Sequence, residues 1–294
     1  MNCGNADICL SNSRLSLEIA YPGEKYKGSR FDWTGFITQV TLDGMHTFCV
    51  PESLTPGAGS GGRGFCGEFG IENALGYEEA CVGNCFTKIG VGQLRKPDNQ
   101  PYDFFRNYEV LPSSSSVTAA AHKVLFRTNS ARVDGYSCKY EKEIALAGDA
   151  FHISYSLTNT GSKKIDTTEY CHNFVGINQR PVSGAYKLKI PGRITLEKTT
   201  GDILESEGEV SWPEQQERRE FYCTFKNYDT SGHYSWELFN RESGVGVRET
   251  DDFPVFKFAL WGSKHVISPE TFIKLEVEPD ATVTWKRSYE FFYK

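Results

Sequence analysis

Apolar residues fall at every second position in one segment after another, and this alternation narrows the available folds more than any other feature. Leu15, Leu17 and Ile19 alternate with polar neighbours, and residues 37–42 run into Asp43-Gly44, a hairpin signal. Tyr136, Cys138 and Tyr140 share one face, Ile144 and Leu146 continue it, and Gly148-Asp149 turns the chain. Ile153, Tyr155 and Leu157 follow, closed by Asn159-Thr160-Gly161. Tyr186, Leu188 and Ile190 precede Pro191-Gly192, and Ile273, Leu275 and Val277 precede Pro279-Asp280. Val283, Trp285, Tyr289, Phe291 and Tyr293 finish the chain, with Arg287 breaking their apolar face. A period of two is the mark of half-buried antiparallel strands. No long stretch carries the three-to-four spacing of an amphipathic helix. The 28 glycines are spread evenly, as many tight turns require. The expectation is an all-β, antiparallel sandwich with few short helices. No linker, repeat or charge block divides the chain, so residues 1–294 are expected to form one domain.

Charge and composition exclude several classes of function. The formal net charge is −6 and there is no basic run, which argues against a nucleic-acid partner. No apolar stretch approaches the roughly 20 residues of a membrane helix. Residues 1–10 lack a basic and apolar leader pattern, which points to the cytoplasm. The nine cysteines are scattered and match no zinc spacing, so they are expected to be mainly reduced core residues, with no metal and no cofactor. Two stretches do not read as strands. Residues 55–70 are glycine-rich, lack the Lys-Ser/Thr ending of a phosphate loop, and are expected to form a long loop over a cleft. Residues 111–121, with four consecutive serines, read as a solvated loop.

Three segments, in order, carry a family resemblance. The first is Asn159-Thr160-Gly161 followed by Thr168-Glu169-Tyr170-Cys171-His172-Asn173-Phe174. The second is residues 243–247 (SGVGV) followed by residues 252–258 (DFPVFKF). The third is Ile267-Ser268-Pro269-Glu270-Thr271-Phe272, then Val277-Glu278-Pro279-Asp280-Ala281 and the terminal Tyr289-Glu290-Phe291. Together they resemble the aldose 1-epimerase (galactose mutarotase) superfamily across nearly the whole chain. The resemblance implies that family's antiparallel β-supersandwich, a carbohydrate ligand, and His172 and Glu270 as catalytic acid and base. Two family features have no counterpart: an early Asn-x-x-Arg segment and a further His in a Leu-His-Gly-Gly-like segment. Lys257 stands where a Gln is often found.

The implied chemistry is simple. A base takes the proton of the anomeric hydroxyl while an acid protonates the ring oxygen; the ring opens, the carbonyl turns, and the ring recloses. An imidazole and a carboxylate suffice if they flank the ring. Arg30, Asp32, Glu68, Lys88 and Lys257 are the candidate sugar-hydroxyl ligands, with Glu68 and Lys88 foremost. The competing reading of each is a solvated or ion-paired side chain. Trp261, with Trp33 and Trp236, is a candidate stacking platform, and His233 and His265 flank the same late segments. Two alternatives stay open. One is a carbohydrate-binding protein without catalysis. The other is an epimerase of a modified or phosphorylated sugar, with Lys88, Arg95, Lys96 and Lys257 as phosphate partners.

Overall fold

The computed structural model describes residues 7–215, 217–229 and 234–294. Cys3 and His233 lie outside them. The alternating segments become strands, and all the paired strands are antiparallel. Two ten-stranded sheets carry the fold, with a three-stranded sheet beside them. Among the described residues the one helical element is the 3-10 turn Ile177–Gln179, and none is long and apolar enough to cross a membrane.

The first sheet runs Asp7–Ser11, Leu15–Ala20, Phe36–Leu42, Gly64–Phe69, Ile165–Phe174, Val266–Val277, Lys257–Ser263, Glu220–Tyr228 and Gly192–Thr200, with His46–Thr47 paired off this path. The second is centred on Val245–Asp251, Thr282–Tyr293, Ala150–Asn159 and Cys138–Ala147. One face of each sheet meets the other around a continuous apolar core that includes Phe65, Phe69, Ile153, Trp285, Tyr289 and Phe291. Because strand side chains alternate in direction, Tyr170, His172 and Phe174 point away from that core. There a second apolar layer (Tyr26, Phe31, Phe36, Val50, Cys66, Phe174 and Val266) covers the outer face of the first sheet.

Charges also lie between the sheets. Arg287 is wholly buried and reaches Glu169 (2.8 Å), Glu249 (3.1 Å) and Asp251 (3.3 Å). Trp285 and Trp236 donate their indole N–H groups to Glu169 and Glu249. The residue that interrupts the apolar face of the last strand is thus the cation of an internal ion-pair network, which explains how a guanidinium survives there.

Two expectations are corrected. The glycine-rich stretch is a loop only to residue 62; Gly64–Phe69 is a fully buried inner strand. Gly64 has φ +59°, and a Cβ there would lie 2.1 Å from the Ile37 carbonyl oxygen, so its glycine serves close strand approach. Residues 111–121 take in the end of the strand Val110–Pro112 and all of the edge strand Ser114–Ala119, not a loop. That edge strand is largely exposed, so polar serines suit it. Among the described residues seven cysteines are free, in line with the expectation of mainly reduced cysteines, and Cys9 is disulfide-bonded. It faces outward on the exposed side of its strand, where a thiol is open to pairing, whereas Cys49, Cys66, Cys138, Cys171 and Cys223 are packed in the interior.

Candidate active site

His172 and Glu270 come from neighbouring central strands of the first sheet, Ile165–Phe174 and Val266–Val277. These strands pair from Ile165↔Val277 to Tyr170↔Phe272, lapse, and resume in the same register at Val175↔Ile267. The lapse coincides with Pro269, which has no N–H to give a ladder. Side chains fill in: the Asn173 backbone N–H donates to Ser268 Oγ (2.9 Å), and the Asn173 amide donates to the Pro269 carbonyl (2.6 Å). Across this break His172 Nε2 lies 3.3 Å from Glu270 Oε1. Ser268 Oγ lies 2.8 Å from His172 Nδ1 and 3.1 Å from Glu270 Oε1.

The pair is enclosed. The His172 and Glu270 side chains are only 5% and 7% exposed. The His172 ring stacks on Phe174, with centroids 3.8 Å apart, and meets the rings of Trp261 and Phe31 edge-on. Burial pushes the Glu270 carboxyl up to about 8, against the pull of Arg30, Ser268 and Lys257. Burial, seconded by the Arg30 charge, holds the His172 imidazole well below its ordinary value. At neutral pH the pair is therefore an un-ionised acid beside a neutral imidazole.

Residues 55–62 form a loop beside the pair, and the loop is tied down. Glu52 accepts from the backbone N–H of Ser60 (2.7 Å) and of Gly62 (3.1 Å), and Arg30 donates to Ser60 Oγ (2.7 Å). A Cβ on Gly62 would lie 2.3 Å from the Phe174 ring, so the loop rests directly on the aromatic that stacks with His172. The loop separates two clefts. One of about 370 Å³ is lined by Lys27, Arg30, Gly59 and Phe105 among others, and one of about 250 Å³ by Glu52, Gly59, Trp261 and His265 among others.

The other sequence candidates divide into two groups. Lys257 and Trp261 stand on the Lys257–Ser263 strand, opposite Phe272 and Ser268, on the face that carries the pair. Both are partly exposed, although Lys257 also faces Glu72 at 3.4 Å. Arg30, Glu68 and Lys88 instead form one buried cluster. Arg30 Nε donates to Glu68 Oε2 (2.9 Å) and Lys88 Nζ to Glu68 Oε1 (3.2 Å), while the Tyr170 hydroxyl donates to Glu68 Oε2 (2.6 Å). Burial alone would raise the Glu68 pKa, but Arg30 and Lys88 hold it below the ordinary carboxylate value. Asp32 is enclosed by Thr34, Tyr140 and Lys142 on the inner side of its loop. Arg95 pairs with Glu109 at the surface and Lys96 donates to the Tyr77 carbonyl, so the four candidate phosphate partners do not converge. Trp236 is buried between the sheets, Trp33 donates to the Gly28 carbonyl, and His265 sits between Ser263 and the Pro51 carbonyl. Among the described residues no group of three or more His, Cys, Asp or Glu side chains is placed to hold a metal ion.

Sequence reasoning missed Ser268, Glu52 and Tyr170. Ser268 carried a usable signal: it is two residues before Glu270, so on a strand both share a face. Tyr170 carried the same signal, two residues before His172 on its strand, whereas Glu52 carried none, because its partners Ser60 and Gly62 lie in a loop without a residue period.

No family model matches the chain, and no curated protein matches it. Solved structures do. A protein from Synechocystis sp. PCC 6803 aligns over all of both chains at 14% identity with a TM-score of 0.61. A galactose mutarotase-like protein from Clostridium acetobutylicum covers 98% of this chain and 95% of its own at 10% identity, TM-score 0.60. The GalM/aldose epimerase homologue from Caenorhabditis elegans covers 98% of each chain at 11% identity, TM-score 0.54. At such identities the likeness is one of fold: the chain is a galactose mutarotase-like antiparallel β-sandwich.

Proposed function

We propose that the chain binds an aldose at the His172–Glu270 pair and interconverts its anomers by acid–base catalysis. The observation that carries this reading is the 3.3 Å contact between His172 Nε2 and Glu270 Oε1. The ring oxygen and the anomeric oxygen of a sugar are bonded to the same carbon, so their acid and base must stand side by side. The neighbouring strands that carry His172 and Glu270 place them so. His172 serves the ring oxygen as acid and Glu270 takes the anomeric proton; ring closure on the other face of the carbonyl reverses both transfers. Enclosure strengthens every electrostatic contact made by the opening ring. Trp261 offers an aromatic wall and Lys257 a hydrogen-bond donor on the same face. Arg30 acts on the pair through its charge, while Glu68 and Lys88 belong to the cluster that holds Arg30 in place.

The second reading is sugar binding without turnover. It is favoured by how little of the pair is exposed and by the loop that Glu52 fastens beside it. Saturation-transfer exchange NMR on a panel of free aldoses and aldose phosphates separates the two. Accelerated anomer exchange that disappears in His172→Ala and in Glu270→Gln supports catalysis. Line broadening without exchange supports binding alone. Full activity in both variants excludes the mechanism.

A further inference from the structure

Ser268 is fully buried and has a restricted set of hydrogen-bonding choices. Its hydroxyl holds one proton and two lone pairs. The Asn173 backbone N–H occupies one lone pair, at 2.9 Å. One proton and one lone pair remain, and two partners face them: His172 Nδ1 at 2.8 Å and Glu270 Oε1 at 3.1 Å. The hydroxyl therefore donates to one and accepts from the other.

From this geometry we propose that Ser268 is a positioning residue that relays protons between Glu270 and His172, interconverting a neutral acid–imidazole pair with a carboxylate–imidazolium pair. The proposal rests on the anomer-exchange reading above. In the neutral arrangement Glu270 donates its proton to Oγ, Ser268 donates to Nδ1, and His172 keeps its proton on Nε2. In the charged arrangement the Glu270 proton has passed to Oγ and the Ser268 proton to Nδ1. One O–H bond breaks at Glu270 and one forms at Oγ; one O–H bond breaks at Oγ and one N–H bond forms at Nδ1. No proton enters or leaves the site and no co-reactant is needed.

The alternative route is direct transfer between Oε1 and Nε2 across their 3.3 Å contact. A bound sugar engages Nε2 with its ring oxygen and the carboxylate with its anomeric hydroxyl, so the substrate competes with this direct contact. The Ser268 path approaches the imidazole from its other nitrogen and stays open. It also reconciles two facts: burial keeps the empty pair un-ionised, whereas ring opening calls for a proton on Nε2 and a basic carboxylate. The other titratable groups around the pair are Arg30 from the Leu15–Ala20 to Phe36–Leu42 connection, Glu68 on Gly64–Phe69, Tyr170 on the His172 strand, Lys257 on Lys257–Ser263 and Tyr222 on Glu220–Tyr228. Arg30 and Lys257 favour the carboxylate, and Arg30 opposes the imidazolium.

The test compares Ser268→Ala with Ser268→Thr in the full chain, by exchange kinetics over pH and by 15N NMR of the His172 imidazole. Ser268→Ala is expected to lower kcat by on the order of 10²-fold, with little change in KM and an altered pH profile. Ser268→Thr, which keeps the hydroxyl, is expected to recover most of the rate. The Nδ1 resonance should move in the alanine variant and stay in place in the threonine variant. Unchanged kcat and pH profile in Ser268→Ala overturn the proposal, as does a correctly folded threonine variant no faster than alanine. If the wild-type chain exchanges no anomers, the functional reading fails first. The imidazole resonance then decides the Ser268 link by itself: movement in Ser268→Ala upholds it, and no movement overturns it.

Discussion

Glu270 ties chemistry to stability through a single side chain. Its pKa rises from 4.5 to about 8 on burial, so the folded state binds its proton more tightly than the unfolded state does. The stability this contributes is fully present below pH 4.5, declines as pH rises, and is lost above about pH 8. His172 has the opposite dependence: its depressed folded value makes stability fall as pH drops below 6.5. Glu270→Gln keeps the shape and removes the ionisation, so the variant should be more stable than the wild type by on the order of a few kcal/mol at pH 9 and by little at pH 5. Thermal melts across that range check this. Anomer exchange should hold through neutral pH and fall above about pH 8, where the pair loses the proton it shares; rates measured in buffers from pH 6 to 10 would show whether it does.

At the scale of elements, the alternating segments could be read because burial on one face leaves a trace at every second residue. Leu15–Ala20, Phe36–Leu42, Cys138–Ala147, Ala150–Asn159 and Thr282–Tyr293 were visible for this reason. Gly64–Phe69 was hidden, since both its faces are buried and its Gly64 answers to Ile37, not to a turn. Ser114–Ala119 was hidden because an exposed edge strand has no buried face to mark it. The loop at residues 55–62 is tied to its own backbone by the Glu52 carboxylate. Glu52→Ala removes its charge-assisted bonds to Ser60 and Gly62 and frees the loop locally. The variant should be cut faster within that loop by limited proteolysis and should show an altered KM, while its global unfolding midpoint changes little.

Across the whole molecule, the pair is held from beneath by the charges between the sheets. Asn173, next to His172, bonds through its side chain to Glu249 and receives the Tyr289 hydroxyl. Glu249 in turn pairs with Arg287. Burial and the neighbouring Asp251 push the Glu249 carboxyl up, and the Arg287 cation pulls it down. Arg287→Met leaves Glu169, Glu249 and Asp251 without their cation and should cost about 3–5 kcal/mol. Urea denaturation measures this, and a loss below 1 kcal/mol would mean that the network neutralises itself without the arginine.

The sequence by itself determined the fold class, because alternation, turn residues and the lack of helical spacing are local properties of a chain. It also singled out His172 and Glu270, through motifs whose order resembles a known family. Only the tertiary structure decided that these two residues touch, since they lie 98 positions apart and meet through strand register. It likewise assigned Arg30, Glu68 and Lys88 to one buried ion-paired cluster and brought Ser268 between His172 and Glu270. A charged residue looks the same in sequence whether it faces a sugar, a salt-bridge partner or water. What separates these cases is burial and distance, and both arise from contacts between segments remote along the chain.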